Sequence, residues 1–127
     1  MLSALTSTSI GLWGPVIAYM AMLFGLSSLS TLPSPPAGLS FYDVHTAAYA
    51  GLAALTARAT GRGLHDVSRR AVLLAILISS LYGVSDEYHQ LFVPGRTFDV
   101  LDMLADAIGS VVGASAVGAW SILRRRF

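Results

Sequence analysis

Four long apolar runs dominate the chain. The first covers about Gly11–Leu29 and carries no charge. The second covers about Phe41–Ala57, with Asp43 and His45 at its start. The third runs over about Ala71–Gln90 and stays uncharged until Asp86; the fourth runs over about Asp99–Leu123 and is uncharged after Asp106. A helix needs about 20 mostly apolar residues to cross a bilayer, so each run predicts a transmembrane helix. The connections are short, which makes consecutive helices antiparallel neighbours. The pattern therefore predicts an all-α membrane protein, a compact four-transmembrane-helix bundle, with residues 1–127 forming a single domain. No internal repeat or long low-complexity tract interrupts it.

Within these runs the small and polar residues follow helical spacing. Asp99, Asp102 and Asp106 stand at i, i+3 and i+7, and Gly109 and Gly113 continue the same face as Gly-x-x-x-Gly. Such a stripe lets another helix approach closely, so it is expected to point into the bundle. On the third run Ser79, Gly83 and Glu87 share a face, with Gln90 following. On the second run His45, Tyr49 and Leu52 share one. Pro15 falls near the start of the first helix, where a missing N–H costs little. Pro94 stops the third helix and Gly95 permits a tight turn, which is expected to hold Arg96 close to both polar seams.

Composition sharpens this picture. Apolar residues make up 54% and charged residues 12%, against about 25% charged in an average soluble domain. An ordinary soluble globule and a disordered chain are both excluded. There is no cysteine, which excludes a disulfide scaffold. All eight basic residues are arginines, and the net charge of +1 suggests no nucleic-acid partner.

The arginines also set an orientation. Arg58, Arg62, Arg69 and Arg70 lie at the second loop and Arg124, Arg125 and Arg126 at the tail, on one side of a four-span bundle. Only Arg96 lies opposite. The positive-inside rule makes the arginine-rich side cytoplasmic, with both termini there and Trp13 and Trp120 at that interface. The first run is expected to be a permanent span, because residues 1–10 lack the basic start of a secretory signal. His65 falls among the cytoplasmic arginines as solvated surface. The outer end then carries Asp43, Asp86, Glu87, Asp99, Asp102, Asp106 and Arg96, a formal charge of −5, against +6 at the inner end.

Ionisable groups at membrane depth are costly, and they usually face the interior, paired, at functional sites. Each residue also has a plain structural role open to it. Asp99 can be an N-cap, Asp102 can complement the helix dipole, and Asp106 can pair with Arg96. His45 and His89 can be interfacial hydrogen-bonding groups. As functional candidates, Arg96, Glu87, Gln90, Asp99, Asp102, Asp106, His45 and Asp43 form a ligand-binding set. Glu87, Asp102 and His89 are the acid–base candidates, with Asp86 beside them. Arg96 is expected within direct or water-mediated reach of Glu87, Asp102 and Asp106.

The run Ser85-Asp86-Glu87-Tyr88-His89-Gln90-Leu91-Phe92-Val93-Pro94-Gly95-Arg96, followed by Asp99, Asp102, Ala105-Asp106 and Gly109, resembles the VanZ-like family signature. That signature has a Glu with a Gln three later, a Pro-Gly-Arg turn, Asp-x-x-Asp, then Asn or Asp, and Gly. The second helix of the family usually opens with Asp-Lys-x-x-His-Phe. Here Asp43 and His45 are present at shorter spacing and the lysine is not. The resemblance implies a small multi-pass protein of the bacterial inner membrane, in a family named for a member linked to teicoplanin resistance. It implies no particular reaction.

Three functions fit these residues. One is binding or remodelling of a lipid or lipid-linked envelope component, with Arg96 on a phosphate and the carboxylates on an amine, on hydroxyls or on a bridging divalent cation. The second is a membrane-embedded hydrolase or transferase using the carboxylate and histidine cluster. No Gly-x-Ser-x-Gly, His-Glu-x-x-His or other metal motif is present, and no further cofactor is expected. The third is a structural or regulatory subunit, including a homodimer through the small-residue helix faces. The arginine split predicts that cysteines introduced at Ser34 and Thr97 label from outside the cell and one at Gly63 does not. The reverse labelling pattern contradicts the orientation.

Overall fold

In a computed structural model, which describes residues 8–127, four helices follow one another: α1 (Ser9–Ser27), α2 (Phe41–Thr60), α3 (Arg69–Gln90) and α4 (Val100–Arg124). Each begins on a side-chain cap. Thr8, Ser40 and Ser68 accept from the N–H three residues on, and Asp99 accepts from Leu101 N–H. These residue types satisfy backbone donors that a helix start leaves unpaired. At α2 the cap is reciprocal, because the Asp43 carboxylate accepts from the Ser40 N–H at 2.7 Å. Residues 1–7, which carry most of the basic-free N-terminal stretch and the N-terminus itself, lie outside the described residues.

Consecutive helices run in opposite directions. The start of α2, the start of α4 and the ends of α1 and α3 meet at the acidic end. At the arginine end, Thr60 Oγ1 donates to Ala71 O at 2.9 Å and Val67 N–H donates to Ser121 Oγ at 2.8 Å. Asp66 pairs there with Arg125.

Helix α2 touches all three other helices, whereas α1 and α4 do not meet among the described residues. The reason is in the side chains. Gly109 and Gly113 of α4 lie against the backbone carbonyls of Thr46 and Ala50, so close that a Cβ at either glycine would overlap that backbone. Ala53, Ala57, Ala75 and Ala114 extend the tight contact between α2, α3 and α4. Towards α1 the core is larger, with Leu12, Val16 and Leu23 packed on Tyr49, Leu52 and Ala59. Two tyrosines tie α1 down: Tyr19 donates to Ala48 O at 2.7 Å and Tyr82 to Met20 O at 2.6 Å. The faces of Gly83, Gly109 and Gly113, expected at close helix contacts inside one chain or across a homodimer, are occupied by neighbouring helices of the same chain.

Among the described residues α1, α3 and α4 are long and apolar enough to cross a membrane; α2 is not. Their outward faces carry Ile17, Met22, Leu73, Leu77, Leu104, Ile108 and Val112, all exposed. An apolar surface of that extent belongs in a lipid environment rather than in water. Helix α2 packs between the other three, and its own polar residues stay within the bundle: Thr56 is buried, and Thr46, Arg58 and Thr60 are half-buried.

Pro15 departs from its expected place. It is the seventh residue of α1, beyond the first turn. A proline there cannot bond the carbonyl four residues earlier. That carbonyl, Gly11 O, accepts from Arg58 Nη1 at 3.1 Å. The arginine expected only as an orientation signal thus repairs the α1 backbone.

Gly113→Ala is expected to lower stability by about 1–3 kcal/mol, because the added methyl meets backbone that must shift. At Gly118 a Cβ meets only the Val72 side chain, and at Gly25 it meets nothing within 4 Å. Thermal unfolding in detergent should rank Gly113→Ala well below Gly118→Ala, with Gly25→Ala at or above the parent.

Candidate functional site

The close α2–α4 contact dictates the acidic end. His45 precedes Thr46, and Asp106 stands three residues before Gly109, so the glycine contact brings the imidazole onto the carboxylate. His45 Nδ1 lies 2.8 Å from Asp106 Oδ1, and His45 Nε2 lies 3.7 Å from Asp102 Oδ2. Asp106 is 1% exposed and sits where α3 carries Gly83, whose missing Cβ makes room for the carboxylate: a methyl there would lie 2.8 Å from Asp106 Oδ2. The partner of Asp106 is therefore His45 and not Arg96.

Glu87 is wholly buried and accepts the Asp99 N–H on Oε1 at 2.6 Å, which fixes the start of α4 to the end of α3. Glu87, expected among the ligand-binding groups of the outer end, is thus closed off from solvent. Asp99 uses Oδ1 to cap α4 and Oδ2 to accept from the Tyr42 hydroxyl at 3.1 Å. Asp43 stays at the exposed rim in its capping box. His89 stacks on Phe24 at 4.4 Å between ring centroids, with Nε2 3.1 Å from Ser28 Oγ, so it ties α1 to α3.

Arg96 takes a different course from the one expected. Gly95 adopts φ +81° and packs its turn on the Ser30 carbonyl. That directs the guanidinium to the end of α1, where Nη1 donates to Leu29 O at 3.2 Å. No carboxylate lies within ion-pair distance of Arg96 among the described residues. The turn geometry gives the guanidinium a carbonyl as its fixed partner and leaves most of its five donors uncommitted.

Those donors face a cleft of about 550 Å³, whose polar walls are His45, Gln90, Arg96, Asp99, Asp102 and Tyr42. A second cleft, about 300 Å³ and mostly apolar, adjoins it and is walled by Leu23, Leu26, Pro33, Val44, Ala48 and Tyr49. The two share Leu32, Pro35, Phe41, His45, Gln90 and Arg96. Five of the sequence candidates, His45, Gln90, Arg96, Asp99 and Asp102, therefore line one cleft. Glu87 and Asp106 stand behind it, and Asp43 and His89 beside it. No group of three or more His, Asp or Glu among the described residues is arranged to hold a metal ion.

Sequence reasoning missed the linker between α1 and α2. Leu32 and Pro35 wall both clefts and Pro33 the apolar one, and the run of three prolines at 33, 35 and 36 was the available sign that this segment has a fixed shape. It also missed the Tyr49 hydroxyl, buried and without a hydrogen-bond partner among the described residues. Nothing in a helical pattern separates a tyrosine that packs from one that leaves its hydroxyl for a ligand.

His45→Ala is expected to cost about 1–3 kcal/mol by leaving the buried Asp106 carboxylate unpartnered. Asp106→Asn in the same background should recover part of that loss, a coupling that a double-mutant cycle measures. Arg96→Ala, which removes one exposed hydrogen bond, should leave the unfolding temperature within a degree or two of the parent by this reasoning.

Neither a curated protein nor a solved structure matches the chain. The sequence pattern of the VanZ/LLP1 family matches residues 19–123, from the middle of α1 to the end of α4. The matched stretch holds both clefts, the glycine contact and the Pro-Gly-Arg turn, and the chain belongs to the VanZ-like family of membrane proteins.

Proposed function

We propose that this protein binds or remodels a lipid or lipid-linked envelope component at the outer face of the bacterial inner membrane. In this reading α2 is a fourth span shielded by the other three, the arginine end is cytoplasmic, and the paired clefts open to the outer leaflet. The observation that carries it is Arg96: a guanidinium at an acid-rich end, held by one carbonyl and left unneutralised, at the junction of a polar and an apolar cleft. A guanidinium placed so is suited to a phosphate, which it can grip with two parallel N–H donors. The adjoining apolar walls suit an acyl or prenyl chain. A purely structural polar lock would spend Arg96 on a carboxylate. A link to glycopeptide resistance belongs to this reading through the family alone.

A hydrolase or transferase is the second reading, favoured by one observation. His45 is oriented by a buried aspartate on Nδ1, and its Nε2 side borders the cleft. That is how an imidazole is held for general-base work.

Mass spectrometry of lipids retained by the purified protein tests the proposal. The parent is expected to retain phospholipid or a lipid-linked phosphate, Arg96→Ala to lose most of it, and Arg96→Lys to recover part. Equal retention by parent and Arg96→Ala contradicts the proposal, as does loss of retention that only follows loss of thermal stability.

A further inference from the structure

The charge distribution around the cleft goes further than a phosphate site. In the polar cleft Arg96 supplies one positive charge and Asp99 and Asp102 two negative ones, with the His45 imidazole 3.7 Å from Asp102, and Asp86 adds a carboxylate to the wall of the adjoining cleft. A ligand that is only an anion would meet attraction from one side and repulsion from the other. Nor would a ligand that is only a cation use the open guanidinium. A ligand carrying both charges is matched by both walls, because opposite charges pair and like charges separate.

Two side chains independently point to an occupant. Gln90 is 2% exposed and borders both clefts, and its side-chain amide, open to the cleft, makes no hydrogen bond among the described residues. Tyr49, 2% exposed, leaves its hydroxyl unpartnered at the edge of the apolar cleft. Buried polar groups are rarely left unpaired, because the desolvation cost is not returned. The amide offers donors and an acceptor, and the tyrosine offers a donor. Ester carbonyls and phosphate oxygens at the join between a headgroup and its chains accept such bonds.

We infer that the cleft takes a zwitterionic aminoalkyl phosphate carried on acyl chains, a phospholipid of the phosphatidylethanolamine type. The phosphate pairs with Arg96, the ammonium donates to Asp102 and to the outer edge of Asp99, and the chains follow the apolar cleft past Tyr49. Gln90 lies where the two parts join. The inference rests on the lipid reading above and names the headgroup that the walls select.

The test is binding of short-chain lipids to the full protein in detergent, followed by thermal stability or native mass spectrometry. Dihexanoyl phosphatidylethanolamine is expected to bind about tenfold or more tightly than dihexanoyl phosphatidylglycerol, a difference of about 1.4 kcal/mol. Asp102→Asn should weaken the ethanolamine lipid and leave the glycerol lipid unchanged or slightly tighter. Equal binding of the two lipids by the parent overturns the zwitterion inference and leaves the lipid reading standing, and it does so without any variant that must fold. Saturable binding of neither lipid overturns both. Free phosphoethanolamine should compete only weakly; if it binds as tightly as the lipid, the ligand is soluble and the chain-binding part is wrong.

Discussion

Glycine on α4 sets the distance between α2 and α4, and most of the acidic end follows from that distance. Gly109 and Gly113 let the Thr46 and Ala50 carbonyls rest almost on the α4 backbone. At that separation His45 reaches Asp106, and a third glycine, Gly83 on α3, leaves the volume that the Asp106 carboxylate fills. The buried Asp106 carboxylate thereby gains the half-buried His45 as its partner, which is the condition for keeping it inside a membrane protein. Side chains at any of the three glycines would push helices apart and expose or orphan that pair.

The same contact explains why α2 has no apolar stretch long enough to cross a membrane. A helix packed backbone-close on α4 needs small residues more than large ones, and it can carry threonines whose hydroxyls bond their own backbone, as Thr56 does to Leu52 O at 2.8 Å. The apolar load is carried outside, on α1, α3 and α4. The bundle thus packs around a helix that lacks a long apolar window, and the cleft opens where that helix begins.

The helices and their inward faces were legible in the sequence because both follow from local periodicity. Ser79, Gly83, Glu87 and Gln90 are buried along one seam of α3, as their spacing implied. Asp99 was readable as a cap because capping is a local act. The fates of Asp106 and Arg96 were not readable. Each had several oppositely charged groups within plausible reach, and the choice among them was made by a glycine contact between helices and by the positive φ of Gly95. The proline linker was overlooked for a related reason. Its side chains matter only where α1, α2 and the 91–97 turn come together, and no residue spacing encodes that meeting.

The central claim is that an unneutralised Arg96 at the junction of the two clefts holds the phosphate of a lipid. Its most direct test is an experimental structure of the protein in a phospholipid nanodisc. The account predicts a phosphate within hydrogen-bonding distance of the Arg96 guanidinium and a chain lying along Leu23, Leu26 and Ala48. An Arg96 side chain swung onto Asp99 or Asp102, with the cleft closed and no lipid between them, would contradict it.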